Sequence, residues 1–375
     1  MINIKSWKND ISFFLEKQKT QNNFYKPSKL FWENRNLSIY KSIIKKNNIN
    51  KFRSLTINIQ AFIPTYKVFF EIKKSFINFL FKKFSLNNKK KKVISTFFSG
   101  YQAALADYRT FKASIFNSDK LFLSNFSESK YGKPIEQFKF DNKNYSRASL
   151  NYLRGMSFLQ TYAKNFRPRV IMEIGGGYGT LGEILKFSNL KNFKYINIDI
   201  VPGIFIAQWY LSKVFKLKKI QSLKKFEKSK VLNINKLGKL NFLCPWHIEK
   251  LRGKICLFVN FISFQEMEPE IVNNYLTYVV KLKPKYILLR NLREEKSTQR
   301  ELWWQKGAQP QYQYYHVIKS IKKNLMKTTS GQTYIKFLDK EYKLVNSDIH
   351  TFGEKKYDGF NSEILLFKRK SILKS

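Results

Sequence analysis

Cysteine is almost missing: the 375-residue chain has two, Cys244 and Cys256. That excludes a disulfide framework, and their spacing fits no metal motif. Both sit in apolar runs and read as buried thiols of a reducing compartment. No run of about 18 apolar residues occurs, which excludes a membrane-spanning helix of the ordinary kind. The opening stretch "MINIKSWKNDISFFLEKQ" lacks the unbroken apolar core of a signal peptide. A cytoplasmic location is therefore expected. Acidic residues are also few, 26 against 70 Lys and Arg, leaving a formal charge of +44.

The charge has two readings. It can be an electrostatic footprint for nucleic acid or an anionic membrane. It can equally be compositional, because Lys, Asn, Ile, Phe and Tyr are abundant everywhere. Lysine greatly outnumbers arginine, the charge is spread along the chain, and only "NNKKKKV" at Asn87–Val93 is dense. Nucleic-acid readers favour arginine forks, and no zinc-finger spacing or RRM aromatic box is present. The compositional reading is the stronger, and nucleic acid is not the expected partner. Val68–Phe84 is basic and amphipathic; packing against its own protein is favoured over peripheral contact with an anionic membrane.

What is present is ample core material, 43% hydrophobic and 17% aromatic. Residues 1–165 read as a mainly helical N-terminal region, a candidate cap or acceptor domain. "LSIYKSIIKKNNINKF", "GYQAALADYRTFKASIF" and "SRASLNYLRGMSFLQTYAKNF" carry apolar residues at three- and four-residue spacings. From Pro168 the texture changes, and residues 166–375 form a second unit. Short β-rich runs, "RVIMEI", "KYINIDI", "KLNFLC", "KICLFVN" and "KYILLRN", alternate with helical segments. Such alternation predicts a parallel sheet covered on both faces. The last two runs, "YKLVNSDIH" and "SEILLFKRK", have no helix between them and should pair antiparallel. The expected fold is a doubly wound, mostly parallel, seven-stranded α/β sheet with an antiparallel terminal strand, Rossmann-like, in the outline of class I methyltransferases.

Glycine is sparse, 15 in all, yet Gly175, Gly176, Gly177 and Gly179 crowd the turn after the first strand. A loop opening a helix from Thr180 can hold a ligand against exposed amides. "GYGTLG" fits a dinucleotide pattern, a weak signal alone. "EIGGGYG" fits acid-x-G-x-G-x-G, the pattern of S-adenosylmethionine sites. A pyrophosphate would be repelled by Glu173, whereas an ammonium and a sulfonium would be attracted. Asp199, ending "YINID", is placed to accept hydrogen bonds from ribose hydroxyls of either cofactor. The methyl donor is the favoured ligand, held by Glu173, Gly175, Gly176, Gly177, Tyr178, Gly179, Asp199, Ile200 and Asn260.

With "EIGGGYGTLGEIL", "YINIDIVPGIFIAQWYL" and, most specifically, "VNFISFQEMEPE", the chain resembles the sugar O-methyltransferases encoded among bacterial surface-polysaccharide genes. Fainter echoes are "PSKLFWENRN" and "GFNSEILLFKR". The resemblance covers most of the chain and implies methyl transfer to a sugar hydroxyl of a nucleotide- or lipid-linked glycan.

Sugar hydroxyls are poor acids, so a base within hydrogen-bond reach is expected. Glu266, in the loop after "KICLFVN", is the first candidate; its alternative reading is an acid favouring the start of the next helix. His247 in "CPWHIEKL" is the second candidate base, with Trp246 beside it as a possible adenine neighbour. His316 and His350 read as ordinary surface or core histidines. Asn260, Ser263 and Gln265 are candidates to hold the acceptor or the methionine moiety. Trp303, Trp304 and Tyr312, in a long polar and aromatic connector, are candidate sugar-stacking contacts. No residues have dedicated metal-ligand spacing, so no metal is expected. The rivals are a methyltransferase on RNA or another acceptor, and an NAD-dependent oxidoreductase.

Overall fold

The computed structural model describes residues 4–29, 31–55, 62–66, 79, 83, 87–88, 100–218, 222–292, 331–350 and 362–371. The N-terminal part opens with helix α1 (Ile4–Lys19). Helix α2 (Glu33–Ile39) continues into a π-helical turn, Tyr40–Lys45, and is followed by a 3₁₀ segment, Ile49–Ser54. After α3 (Tyr101–Ile115) comes a hairpin of β1 (Phe138–Phe140) and β2 (Lys143–Tyr145) that the sequence pattern did not announce. Helix α4 (Arg147–Tyr162) follows. It begins where Ser146 and Ser149 cap each other, each side chain accepting from the other's backbone N–H, which satisfies two otherwise orphaned donors.

All seven runs read as strands are strands of one sheet. They are β3 (Val170–Ile174), β4 (Lys194–Ile198), β6 (Leu240–Leu243), β8 (Leu257–Phe261), β9 (Tyr286–Leu292), β10 (Tyr342–His350) and β11 (Ser362–Arg369). Between them lie α5 (Thr180–Phe187), α6 (Gly203–Val214), α7 (Lys224–Lys228), α8 (Pro269–Lys281) and α9 (Gly331–Leu338). Two-residue strands β5 (Leu232–Asn233) and β7 (Leu251–Arg252) pair apart from the main sheet.

The sheet order is β10-β11-β9-β8-β3-β4-β6. β11 runs antiparallel to both its neighbours, and the remaining pairings are parallel. This is the order and polarity of the class I methyltransferase fold. Chain direction reverses at β3, which lies between β4 and β8, so the crevice at the carboxyl ends of these strands is the natural ligand position. The central strands are apolar on both faces because helices cover both; every residue of β8 is buried.

The N-terminal part is bonded to the sheet's loops. Gln18 clamps Val201, accepting from its N–H at 2.8 Å and donating to its carbonyl at 3.2 Å. Asn36 donates to the same carbonyl. Phe14, fully buried on α1, packs on Phe205 and Trp246. Deeper still, Arg53 pairs with Glu128 at 2.7 Å, both side chains at 1% exposure or less. Glu128 also accepts from Gln137 at 2.9 Å and Ser146 at 2.8 Å, while Arg53 lies 5.1 Å from the Tyr178 ring centroid. One buried charge pair thus joins the N-terminal part, the hairpin region and the glycine loop.

Removing one member of such a pair strands the other in the interior. Arg53→Met should cost about 3–5 kcal/mol of stability, read as a shift of the urea unfolding midpoint. Adding Glu128→Gln should restore part of it; a wild-type midpoint for Arg53→Met alone would contradict the burial described here.

Candidate functional site

The glycine turn is shaped by what lies behind it. A Cβ on Gly175 would come within 2.0 Å of Ser263 Oγ, and one on Gly176 within 2.6 Å of Asn197 Oδ1 and 2.7 Å of Glu173 Oε2. Gly177 differs: its φ is +55° and a Cβ would meet nothing within 4 Å. Two glycines therefore exist for close packing, and the third faces open space. That space is a cavity of about 1110 Å³, mouth included.

The cavity gathers many of the residues singled out from the sequence: Gly175, Gly176, Gly177, Tyr178, Asp199, Ile200, Ser263 and Glu266. Asp199 stands at the end of β4, its Oδ2 accepting from Gly177 N–H at 2.8 Å and its Oδ1 from Ile200 N–H at 2.7 Å. A carboxylate oxygen has a second lone pair, so both can still receive a ligand hydroxyl. Burial pushes this carboxyl up to about 7 against the pull of those two N–H donors, and the Glu266 charge adds to the rise.

Other expected site residues do not reach the cavity wall. Glu173 is fully buried beneath the loop. Its Oε1 accepts from Tyr152 at 2.6 Å and its Oε2 from Tyr195. Burial pushes its carboxyl up to about 7, and with both oxygens bonded to tyrosine hydroxyls and none on the cavity wall it does not face an ammonium there as expected. The electrostatic argument against a pyrophosphate therefore passes from Glu173 to Asp199 and Glu266, which do line the cavity. Gly179 is the left-handed N-cap of α5, φ +98°, packed on Leu211 rather than on the ligand space.

His247 is excluded as a base by its bonds. Its Nδ1 accepts the Cys244 N–H at 3.1 Å, so the proton is on Nε2, which lies 2.8 Å from Glu227 Oε2. Burial lowers its pKa further, leaving a neutral, fully buried imidazole. Trp246 donates to the same Glu227 oxygen at 2.9 Å and is likewise off the cavity wall. Burial tends to raise Glu227, but bonds from His247, Lys17 and Trp246 outweigh it and hold the carboxyl well below the usual range.

Asn260 is a latch under the wall. Its Nδ2 donates to Ile174 O at 2.9 Å and Ser263 Oγ at 2.6 Å, while its Oδ1 accepts from Phe264 N–H at 3.2 Å and Asn291 at 3.1 Å. With these bonds made it has no role toward a ligand. They hold Ile262 at φ +72°, a costly conformation for a β-branched residue. The turn presents Ser263 beneath Gly175 and brings Glu266 to the cavity. Gln265 is half-buried, bonded through its backbone to Asn291 at 3.2 Å, and off the wall. Trp303, Trp304, Tyr312 and His316, and the side chain of His350, lie outside the described residues. Among the described residues no group of three or more His, Cys, Asp or Glu could hold a metal.

The remaining wall comes from segments read only as helix, only as an echo, or not singled out at all. Ser28, Trp32 and Asn36 belong to "PSKLFWENRN", and all three line the cavity. Trp32 Nε1 donates to Glu266 Oε2 at 3.0 Å, and Ser28 donates to Glu268 at 3.1 Å. Phe62 and Pro64 add apolar surface, Tyr275 comes from α8, and Asn151 and Tyr152 from α4. Their pairing with the sheet is tertiary; the motif "PSKLFWENRN" was the available signal.

Because Glu173 titrates far above a free carboxyl, the fold favours its protonated form. Its contribution to stability is fully present below the unfolded value near 4.5 and is lost as pH rises toward about 7. Glu173→Gln should therefore gain stability relative to wild type between about pH 5 and pH 8. Melting temperatures across that window check it; a constant offset would refute the burial effect.

No family model matches the chain, and no curated protein matches it. Solved structures similar to it include the magnesium protoporphyrin IX methyltransferase of Synechocystis PCC 6803, with bound SAM, at 11% identity and TM-score 0.35 over 60% of this chain and 86% of that one. The N-methyltransferase NodS of Bradyrhizobium japonicum WM9, in complex with S-adenosyl-L-homocysteine, gives 12% and 0.36 over 58% and 86%. A small RNA methyltransferase gives 14% and 0.36 over 64% and 27%. Likenesses this distant add nothing to the strand order, on which the fold assignment stands.

Proposed function

We propose that the chain is an S-adenosylmethionine-dependent O-methyltransferase whose acceptor is a sugar hydroxyl of a surface polysaccharide or its precursor. The observation that carries the cofactor is Asp199: a cavity-facing carboxylate at the tip of β4, beside the open Gly177, with lone pairs left for two ribose hydroxyls. A pyrophosphate fits worse, because the described wall offers two carboxylates, Asp199 and Glu266, and a single cation, Lys26. That wall likewise offers no arginine fork for RNA.

Bound S-adenosylmethionine supplies a methyl group on a sulfonium, open to in-line displacement by an oxygen nucleophile. Asp199 and the loop amides orient the nucleoside. Glu266, held by the Trp32 N–H, accepts the proton of the acceptor hydroxyl. The N-terminal part, residues 1–165, acts as the cap: Ser28, Trp32 and Asn36 enclose the acceptor side and exclude water, with the Trp32 ring as a face for a sugar. Trp303, Trp304 and Tyr312 remain proposed acceptor contacts. The proposed setting is the cytoplasm, at the inner membrane face, with a nucleotide- or lipid-linked glycan as acceptor; among the described residues no helix is long and apolar enough to cross a membrane.

S-adenosylhomocysteine should raise the melting temperature while NAD leaves it unchanged; the reverse would favour an oxidoreductase. Asp199→Ala should weaken S-adenosylhomocysteine binding by about 100-fold or more without unfolding the protein. Since the carboxylate form accepts the ribose bonds and titrates near 7, wild-type affinity should fall by up to about tenfold per pH unit below that value, as calorimetry would show. Glu266→Gln should keep cofactor affinity and lower turnover by about 10²–10⁴; an unchanged rate removes it from the mechanism.

A further inference from the structure

With Glu173 turned inward, the cavity needs another group to meet the amino-acid end of an adenosyl donor. Asn151 is 2% exposed, belongs to the cavity wall, and its Oδ1 has no hydrogen-bond partner among the described residues. A buried carboxamide left in that state costs free energy, which a polar ligand group recovers once a half-turn of the amide brings that oxygen to the cavity.

Its place in the fold identifies the ligand group. Asn151 lies on α4, one turn after Ala148, which is also on the wall. The next residue, Tyr152, bonds Glu173 and packs its ring 4.8 Å from Phe261 at the end of β8. Gly155 permits this approach, since a Cβ there would come within 2.2 Å of Phe261. Asn151 therefore reaches the cavity from the β8 side of the glycine loop. Asp199 reaches it from β4, on the opposite side of β3. A nucleoside held by Asp199 and extended across the loop brings its far end to Asn151.

We propose that Asn151 binds the α-amino-acid end of the adenosyl donor, an assignment resting on the methyl-donor reading above. A carboxamide offers a donor and an acceptor, exchanged by a half-turn of its last torsion. It thus suits a zwitterion, whose ammonium and carboxylate already balance each other.

The test compares two probes by calorimetry: S-adenosylhomocysteine and 5′-methylthioadenosine, which keeps the nucleoside and sulfur but lacks the amino-acid end. Asn151→Leu, which keeps the branched heavy-atom skeleton without its polar atoms, should lose about tenfold or more for the first and stay within about twofold for the second. Should that variant not fold, Asn151→Ala is read the same way. An unchanged ratio between the two affinities overturns the assignment. Wild-type protein binding neither probe would instead remove the methyl-donor reading, and the assignment with it.

Discussion

The structure depends on a buried carboxyl. Glu173 lies at the carboxyl end of β3 with one oxygen bonded to Tyr152 of α4 and the other to Tyr195 of β4. Directly above it, Gly176 leaves no room for a side chain. Strand, neighbouring strand, covering helix and glycine turn are therefore fixed relative to one another by a single side chain. The cost of desolvating it is limited because it can take up a proton near neutrality. The acid of the sequence motif is thus part of the cavity's foundation, and Asp199 is the carboxyl that lines the cavity beside the open Gly177.

A second lock holds the other side. Asn260 ties the end of β3 to the turn after β8, and that turn carries Ile262 through a conformation few β-branched residues adopt. The motif "NFISFQE" gains a physical meaning from this: one asparagine binds four partners so that a serine can pack under Gly175 while a glutamate faces the cavity. Specificity of the motif reflects packing as much as chemistry.

The seven strands were legible because each is a short apolar run bounded by polar turns, a local property. The glycine turn and Asp199 were legible for the same reason. The orientation of Glu173 was not, since in a strand buried on both faces the pattern of apolar residues does not distinguish the ligand side from the core side. His247 looked available because its partner Glu227 is twenty residues away in sequence and meets it only in the folded chain. Trp32 was read only within a faint echo of the family and Asn151 only as part of a helix; the assembled cavity shows which of their faces matters. Hairpin β1–β2 was missed because strands of three residues are too short to show alternation.

The bonds of the first forty residues reach far along the chain. Gln18 and Asn36 find Val201, Tyr25 finds Glu249, Trp32 finds Glu266 and Ser28 finds Glu268, over separations of 165 to 240 residues. During vectorial synthesis the amino-terminal segment leaves the ribosome long before these partners exist. It must wait, uncommitted, until β8 and its following turn have emerged, and the entropy of closing such long loops falls on the last stage of maturation. The cavity wall is consequently closed late, by a part of the chain made well before its partners.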